Sequence, residues 1–179
     1  MPQPREKFGG AGVYLIYYNG GHPAYSTLAK RNKSKWNWPI YVGQALPSGV
    51  RKGAGGLDTE HGEVLYQRLR DHAKSIELAE NLKLQDFRYR WLCVDEVFIS
   101  LGETLLITKY QPVWNVVVDG FGNHAVGKGR KDMARPAWDI LHPGRKWAAA
   151  LRADIAEEFV IGRISAHFKD DLDKSSYSR

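Results

Sequence analysis

Apolar and polar positions fall into three short runs with the texture of strands and two longer runs with the period of helices. "GVYLIYY" (12–18) is dense in β-branched and aromatic residues and stops at "NGG", a turn signal, which predicts a first strand. "PIYVGQA" (39–45) predicts a second, with Pro39 at its start, where a missing N–H is tolerated. "DFRYRWLCVD" (86–95) alternates and then turns apolar, which predicts a third. Between the last two, residues 63–84 carry Val64, Leu65, Leu69, Ile76 and Leu82 on an apolar stripe, the clearest helix of the chain. Another helix is predicted from Leu101 to Tyr110, ended by Pro112.

The segments between are of a different kind. Residues 22–38 are basic and interrupted, with room for a short helical turn, and 46–62 form a glycine-rich loop. Residues 116–136 begin apolar and become a glycine-punctuated basic loop. Residues 139–168 predict one or two helices broken at Pro143-Gly144, and the polar tail beyond predicts fraying. The order is β–β–α–β–α with added loops and a C-terminal helical part.

Composition changes this picture in two ways. With 179 residues, 43% hydrophobic and 12% aromatic, the chain suits one domain with a real core. A net charge of +6 fits a polyanionic partner. Cys93 stands alone, so no internal disulfide forms and a cytoplasmic setting is expected, with Cys93 itself a buried strand residue. No stretch suits a membrane span, "MPQPREKFGG" lacks the apolar core of a signal peptide, and no internal repeat is present.

Four features carry candidate chemistry. At helical spacing Glu103 shares a face with Ile99, Leu106, Ile107 and Tyr110, where a charge is costly unless it is paired. "SLGE" fits a capping box with Ser100 as N-cap and Glu103 at N3; the other reading is a metal ligand, since one carboxylate with several waters suits Mg²⁺ beside a phosphate. Arg68 and His72, four apart on the 63–84 helix, face one way; they suit a phosphate and a proton, or else form a solvated face with Asp71 and Ser75. Tyr14 and Tyr41, in "GVY" and "YVG", are either site residues or ordinary sheet packing. Asn115, after the helix ending at Tyr110, is a residue type that turns favour.

Order and spacing join these pieces. "GVY" and "YVG" on two strands, Arg-x-x-x-His on the next helix, Glu in the helix after and Asn just beyond resemble the GIY-YIG nuclease family over residues 9–115. "GAGVYLIYY", "PIYVGQA", "VVVDGFGNHAVGKGR" and "HPGRKW" extend the resemblance, through about residue 147, to type II restriction endonucleases of this family that cut a GC-rich palindrome of the CCGCGG kind. Valine replaces isoleucine in both motifs, a harmless change on a strand. The gap between the tyrosines is longer than the minimal pattern, so 19–38 reads as an insertion, and Gln44 stands where relatives often carry lysine.

The resemblance implies an α+β fold: a small three-stranded antiparallel sheet flanked by helices, one GIY-YIG domain over residues 1–179 with loop insertions and a C-terminal helical extension. It implies Mg²⁺-dependent hydrolysis of double-stranded DNA, with Mn²⁺ as a substitute metal. Tyr14 would be the general base, Arg68 the phosphate and transition-state stabiliser, and Glu103 the metal ligand. His72 and Tyr41 would position Tyr14, water or phosphate, and Asn115 the metal-side loop or the phosphate. No separate DNA-binding domain is left over, so recognition is expected from 19–38 (Lys30, Arg31, Lys33, Lys35), 46–62 (Arg51, Lys52) and 116–147 (Asn123, His124, Lys128, Arg130, Lys131). A twofold homodimer on DNA matches a palindrome. The rival readings are a repair or structure-selective nuclease on this fold and a catalytically silent DNA-binding module.

Overall fold

The computed structural model describes residues 6–47, 62–123 and 133–176. Strand β1 (Gly12–Tyr18) lies at the centre of a three-stranded sheet, antiparallel to β2 (Pro39–Ala45) on one side and β3 (Phe87–Cys93) on the other. Its alternation sorts two layers. Tyr14, Ile16 and Tyr18 point into the main core, where α2 (Val64–Leu78) supplies Leu65, Leu69, Ala73 and Ile76. Val13 points to the other side and joins Ala11 and Ile99, the latter from α3 (Glu96–Tyr110), in a smaller cluster. Three strands and two helices thus form one α+β unit, as the resemblance implies.

The segment 19–38 is more than a loop insertion. A 3₁₀ turn (Pro23–Tyr25) leads into α1 (Ser26–Asn32), and Tyr25, Leu28 and Ala29 enter the main core. Buried Asn32 ties the segment down by donating to the Tyr18 and Trp38 carbonyls and accepting from the Asn37 and Trp38 amides. Basic charge in the sequence had masked this apolar face.

Other boundaries move for local reasons. Helix α2 ends at Leu78 rather than 84: Ala79 turns extended, and the Glu80 amide donates to the Pro143 carbonyl at 2.8 Å. Gly144 packs so tightly there that a Cβ would lie 1.7 Å from the Leu78 carbonyl oxygen. Leu82 still joins the core from beyond the helix. Helix α3 begins five residues early, at Glu96, because Asp95 caps it by accepting from the Val97 amide. Cys93 is exposed at the end of β3, not buried.

The C-terminal part holds three helices, α5 (Ala137–Leu141), α6 (Lys146–Ala149) and α7 (Glu157–Ser176), after the short α4 (Val113–Val116). Helix α7 runs on into the segment expected to fray. Trp138 and Leu141 from α5 and Val160, Ile164 and Phe168 from α7 pack into the same core as the sheet. No helix among the described residues is long and apolar enough to cross a membrane.

Candidate active site

Tyr14 sits mid-β1, and its side chain leans across to β2. Its cross-strand neighbour is Gly43, and a Cβ there would lie 2.4 Å from the Tyr14 hydroxyl. The glycine of "YVG" is therefore the space that the tyrosine of "GVY" occupies. The two motifs are complementary halves of one contact, which neither run discloses alone.

From α2, His72 meets Tyr14 from the core side. The Tyr14 hydroxyl and His72 Nε2 are 2.7 Å apart, and both side chains are buried. The phenol donates to His72 in the Nδ1–H tautomer of the ring and accepts from it in the Nε2–H tautomer. Tyr41, half-buried on β2, packs edge-on against the His72 ring at 5.2 Å and shares a hydrogen bond with Tyr14. Phe121 stacks on His72 at 4.5 Å with an interplanar angle of 16° and meets Tyr41 at 5.0 Å. Three rings and a glycine-flanked loop thus fix where the Tyr14 oxygen sits.

The charged residues act on this oxygen from both layers. Arg68, exposed one turn before His72, lowers the pKa of both tyrosines, whereas Glu103 on α3 raises them. Burial outweighs both and pushes the Tyr14 hydroxyl well above its ordinary 10.0, with Tyr41 next in effect. Tyr41 is pushed up for the same reason, burial first and Glu103 second. Tyr14 therefore rests as a neutral phenol bonded to His72, with Arg68 easing its ionisation.

Glu103 is not in a capping box. Ser100 lies inside α3 and donates to the Gln44 side chain at 3.1 Å, while Asp95 is the cap. Glu103 stands half-buried mid-helix, and no hydrogen bond or ion pair to its carboxylate forms among the described residues. Burial raises its pKa above the ordinary 4.5. A half-buried carboxylate whose charge is uncompensated suits a cation. Among the described residues no three His, Cys, Asp or Glu side chains gather, so a metal here would depend on this one carboxylate, water and substrate.

Asn115 lies within α4 rather than beyond a helix, and both ends of its amide are spoken for. Its oxygen accepts from the Val42 amide and its nitrogen donates to the Val42 carbonyl, each at 2.8 Å. β2 is an edge strand, so Val42 turns an unpaired amide and carbonyl outward, and Asn115 satisfies both as a neighbouring strand would. It thereby fixes the backbone between Tyr41 and Gly43.

One anchor was not singled out in the sequence. Buried Arg145, in the loop before α6, binds Asp139 through Nε at 2.6 Å and a second nitrogen at 2.5 Å. Its remaining N–H groups donate to the Gly120, Phe121 and Asn123 carbonyls at 2.9–3.1 Å. The guanidinium lies 4.4 Å from the Trp138 ring centre and 4.9 Å from that of Trp147. This holds the loop that presses Phe121 on His72. An aromatic flanked by glycines, "GFG", and an arginine near two tryptophans were its only signals.

The recognition candidates are scattered. Lys30, Lys33 and Lys35 are exposed on or just after α1, and Arg31 is half-buried with its guanidinium 4.8 Å from the Trp38 ring centre. Asn123 is exposed at the end of the Phe121 loop. Arg51, Lys52, His124, Lys128, Arg130 and Lys131 lie outside the described residues.

No curated protein matches the sequence. The family model described as the Eco29kI GIY-YIG domain matches residues 6–168, which spans every element from β1 to most of α7. With the antiparallel sheet, the paired tyrosines and nearly the whole described chain inside that match, the protein belongs to the Eco29kI GIY-YIG nuclease family.

Proposed function

We propose that this nuclease is a Mg²⁺-dependent type II restriction endonuclease that hydrolyses both strands of DNA at a short GC-rich palindrome as a twofold homodimer. The observation that carries the chemistry is the buried Tyr14–His72 hydrogen bond, which the charges of Arg68 and Glu103 both reach. A phenol held well above 10.0 is a poor base by itself, but a phenol that can pass its proton on is not. With His72 as the Nδ1–H tautomer, water gives a proton to the Tyr14 oxygen as the phenol's own proton moves to His72 Nε2. The hydroxide so formed adds to phosphorus, the bond to the 3′ oxygen breaks with its electron pair left on that oxygen, which takes a proton from solvent water, and His72 is left as imidazolium.

The other residues serve that transfer. Arg68 binds a non-bridging oxygen and stabilises the charge that develops on it. Tyr41 keeps the Tyr14 oxygen aimed through their shared hydrogen bond, and Asn115 keeps β2 in register under both. Glu103 would hold one Mg²⁺, which supplies Lewis-acid stabilisation of the leaving oxygen. Lys30, Lys33, Lys35 and Asn123 are on the surface available to phosphates and base edges.

Plasmid incubated with the protein, with and without Mg²⁺, tests the reading. Discrete fragments that require the metal are expected. Nicks only at irregular structures would favour the repair reading, and retardation without cleavage the silent module. Tyr14→Phe keeps the strand and the ring packing but removes the proton path. It should stay folded and lose at least about a hundredfold in rate, and wild-type cleavage by a folded Tyr14→Phe would rule the relay out.

A further inference from the structure

Trp114 reaches both supports of the Tyr14–His72 pair. Its ring centre lies 4.5 Å from that of Phe121, and Phe121 in turn stacks on His72 at 4.5 Å. Its chain neighbour Asn115 clips Val42 from within the same short helix α4, which fixes β2 under Tyr41 and Gly43. A turn of the indole therefore moves Phe121 directly, and a shift of α4 moves β2. What sets the angle of the indole is a polar contact: Trp114 is 2% exposed, and its N–H donates to the Tyr25 hydroxyl at 2.8 Å.

That bond opens a directed series. An indole N–H only donates, so the Tyr25 oxygen accepts from it. The Asn81 amide donates to the Leu141 carbonyl at 2.8 Å, which turns its oxygen to His142 Nδ1, also at 2.8 Å. His142 thus carries a proton on Nδ1, and in the neutral ring Nε2 accepts from the Tyr25 hydroxyl, 2.7 Å away. Burial favours that neutral ring. Tyr25 and His142 are both fully buried. Tyr25→Phe and His142→Leu would fill the same core without desolvating polar groups, so packing alone does not call for this series. Apolar contacts have no direction, whereas each hydrogen bond fixes an angle. We infer that Tyr25 is a positioning residue for cleavage: through Trp114 it sets the Phe121 ring against His72, and so the approach of His72 to Tyr14. The inference rests on the Tyr14–His72 reading above.

Tyr25→Phe keeps the ring and deletes the acceptor of Trp114. On a DNA fragment that the wild type cuts, its rate constant at saturating DNA should fall about tenfold, short of the loss for a full ångström of misplacement. The Kd for that fragment without added metal should stay within about twofold, since no group that meets DNA is altered. The NMR signals of the His72 ring, which lie in the ring current of Phe121, should shift in the DNA-free chain. This readout involves no cleavage, so a failed proton relay, seen as an active Tyr14→Phe, is told apart from a failed positioning role. In a Phe121→Leu background the path is already cut, and Tyr25→Phe should cost less than about twofold more. A merely structural Tyr25 would lower the melting temperature and leave the His72 signals and the rate below the melting range unmoved, which would overturn the inference, as would the full loss recurring without Phe121. If Tyr25→Phe does not fold, Asn81→Ala at the exposed end of the series replaces it. The same signals should then shift and the rate fall about threefold, and their staying put overturns the inference equally.

Discussion

At the scale of single residues, the site depends on groups whose surroundings oppose their ordinary behaviour. Gly43 is absent of side chain so that Tyr14 has room. Gly43→Ala drives a methyl into the phenol, and overpacking of this kind costs about 1–3 kcal/mol. The fold should survive that while cleavage drops about a hundredfold, since an ångström of misplacement is enough. Normal rates in Gly43→Ala would mean that the Tyr14 position is not critical. Glu103 is the second case. Burial holds its folded pKa above 4.5, so the folded chain binds this proton more tightly than the unfolded chain. The group therefore removes stability from the metal-free protein as pH rises through 4.5 and beyond, and removes none well below it. Metal-free Glu103→Gln should melt slightly above wild type at neutral pH, with the gap closing as pH falls below 4.5. Its cleavage should fall by orders of magnitude. A variant that cleaves normally and melts lower than wild type would return Glu103 to a structural role.

At the scale of elements, two segments argue that position is set by partners distant in sequence. Asp95 caps α3 and so moves Ser100 and Glu103 into the helix interior, which no local motif around "SLGE" announces. The Phe121 loop is held by Arg145, whose donors all find oxygens. Arg145→Lys retains the charge but not the fork. It should leave at least one buried carbonyl unpaired, at about 1–3 kcal/mol each, and lower the melting temperature by up to ~10 °C. Because Phe121 stacks on His72, the rate constant at saturating DNA should fall more than the affinity for DNA. A loss confined to affinity would show instead that the loop serves binding alone. The strands and α2 were legible in the sequence because their periodicity reports the face they bury. Helix α1 was legible only as a short turn, because its two apolar core positions, Leu28 and Ala29, stand beside a basic run, and the C-terminal part was legible only as one or two helices, because α5 and α6, five and four residues long, carry little period.

At the scale of the whole molecule, a second tyrosine–histidine pair stands where α1, α5 and the α2–β3 connection meet. Tyr25 and His142 are 2.7 Å apart, Trp114 donates to the Tyr25 hydroxyl, and His142 Nδ1 lies 2.8 Å from the Asn81 side-chain oxygen. Burial, then His22 and Arg145, hold His142 well below its ordinary 6.5. The unfolded chain therefore takes up this proton first, and stability must fall as pH drops below 6.5. Urea midpoints measured across that range should decline steadily. A flat profile would mean that His142 is charged in the fold.

The sequence alone determined the order of strands and helices, the residue types that can take a proton, hold a phosphate or bind a cation, and their spacing along each element. Those are local properties, written in periodicity and side-chain chemistry. Only the tertiary structure decided what each type does. Tyr14 and His72 are 58 residues apart and become a buried hydrogen-bonded pair because β1 and α2 pack face to face. Asn115, a turn residue by its type, is a strand mimic because β2 is an edge with an open amide and carbonyl. Glu103 is left without a cap partner because a residue eight positions earlier starts the helix. Apolar α3, which reads as a core helix, keeps Phe98, Leu101 and Leu105 in water because only its Ile99 and Leu106 side packs on the sheet.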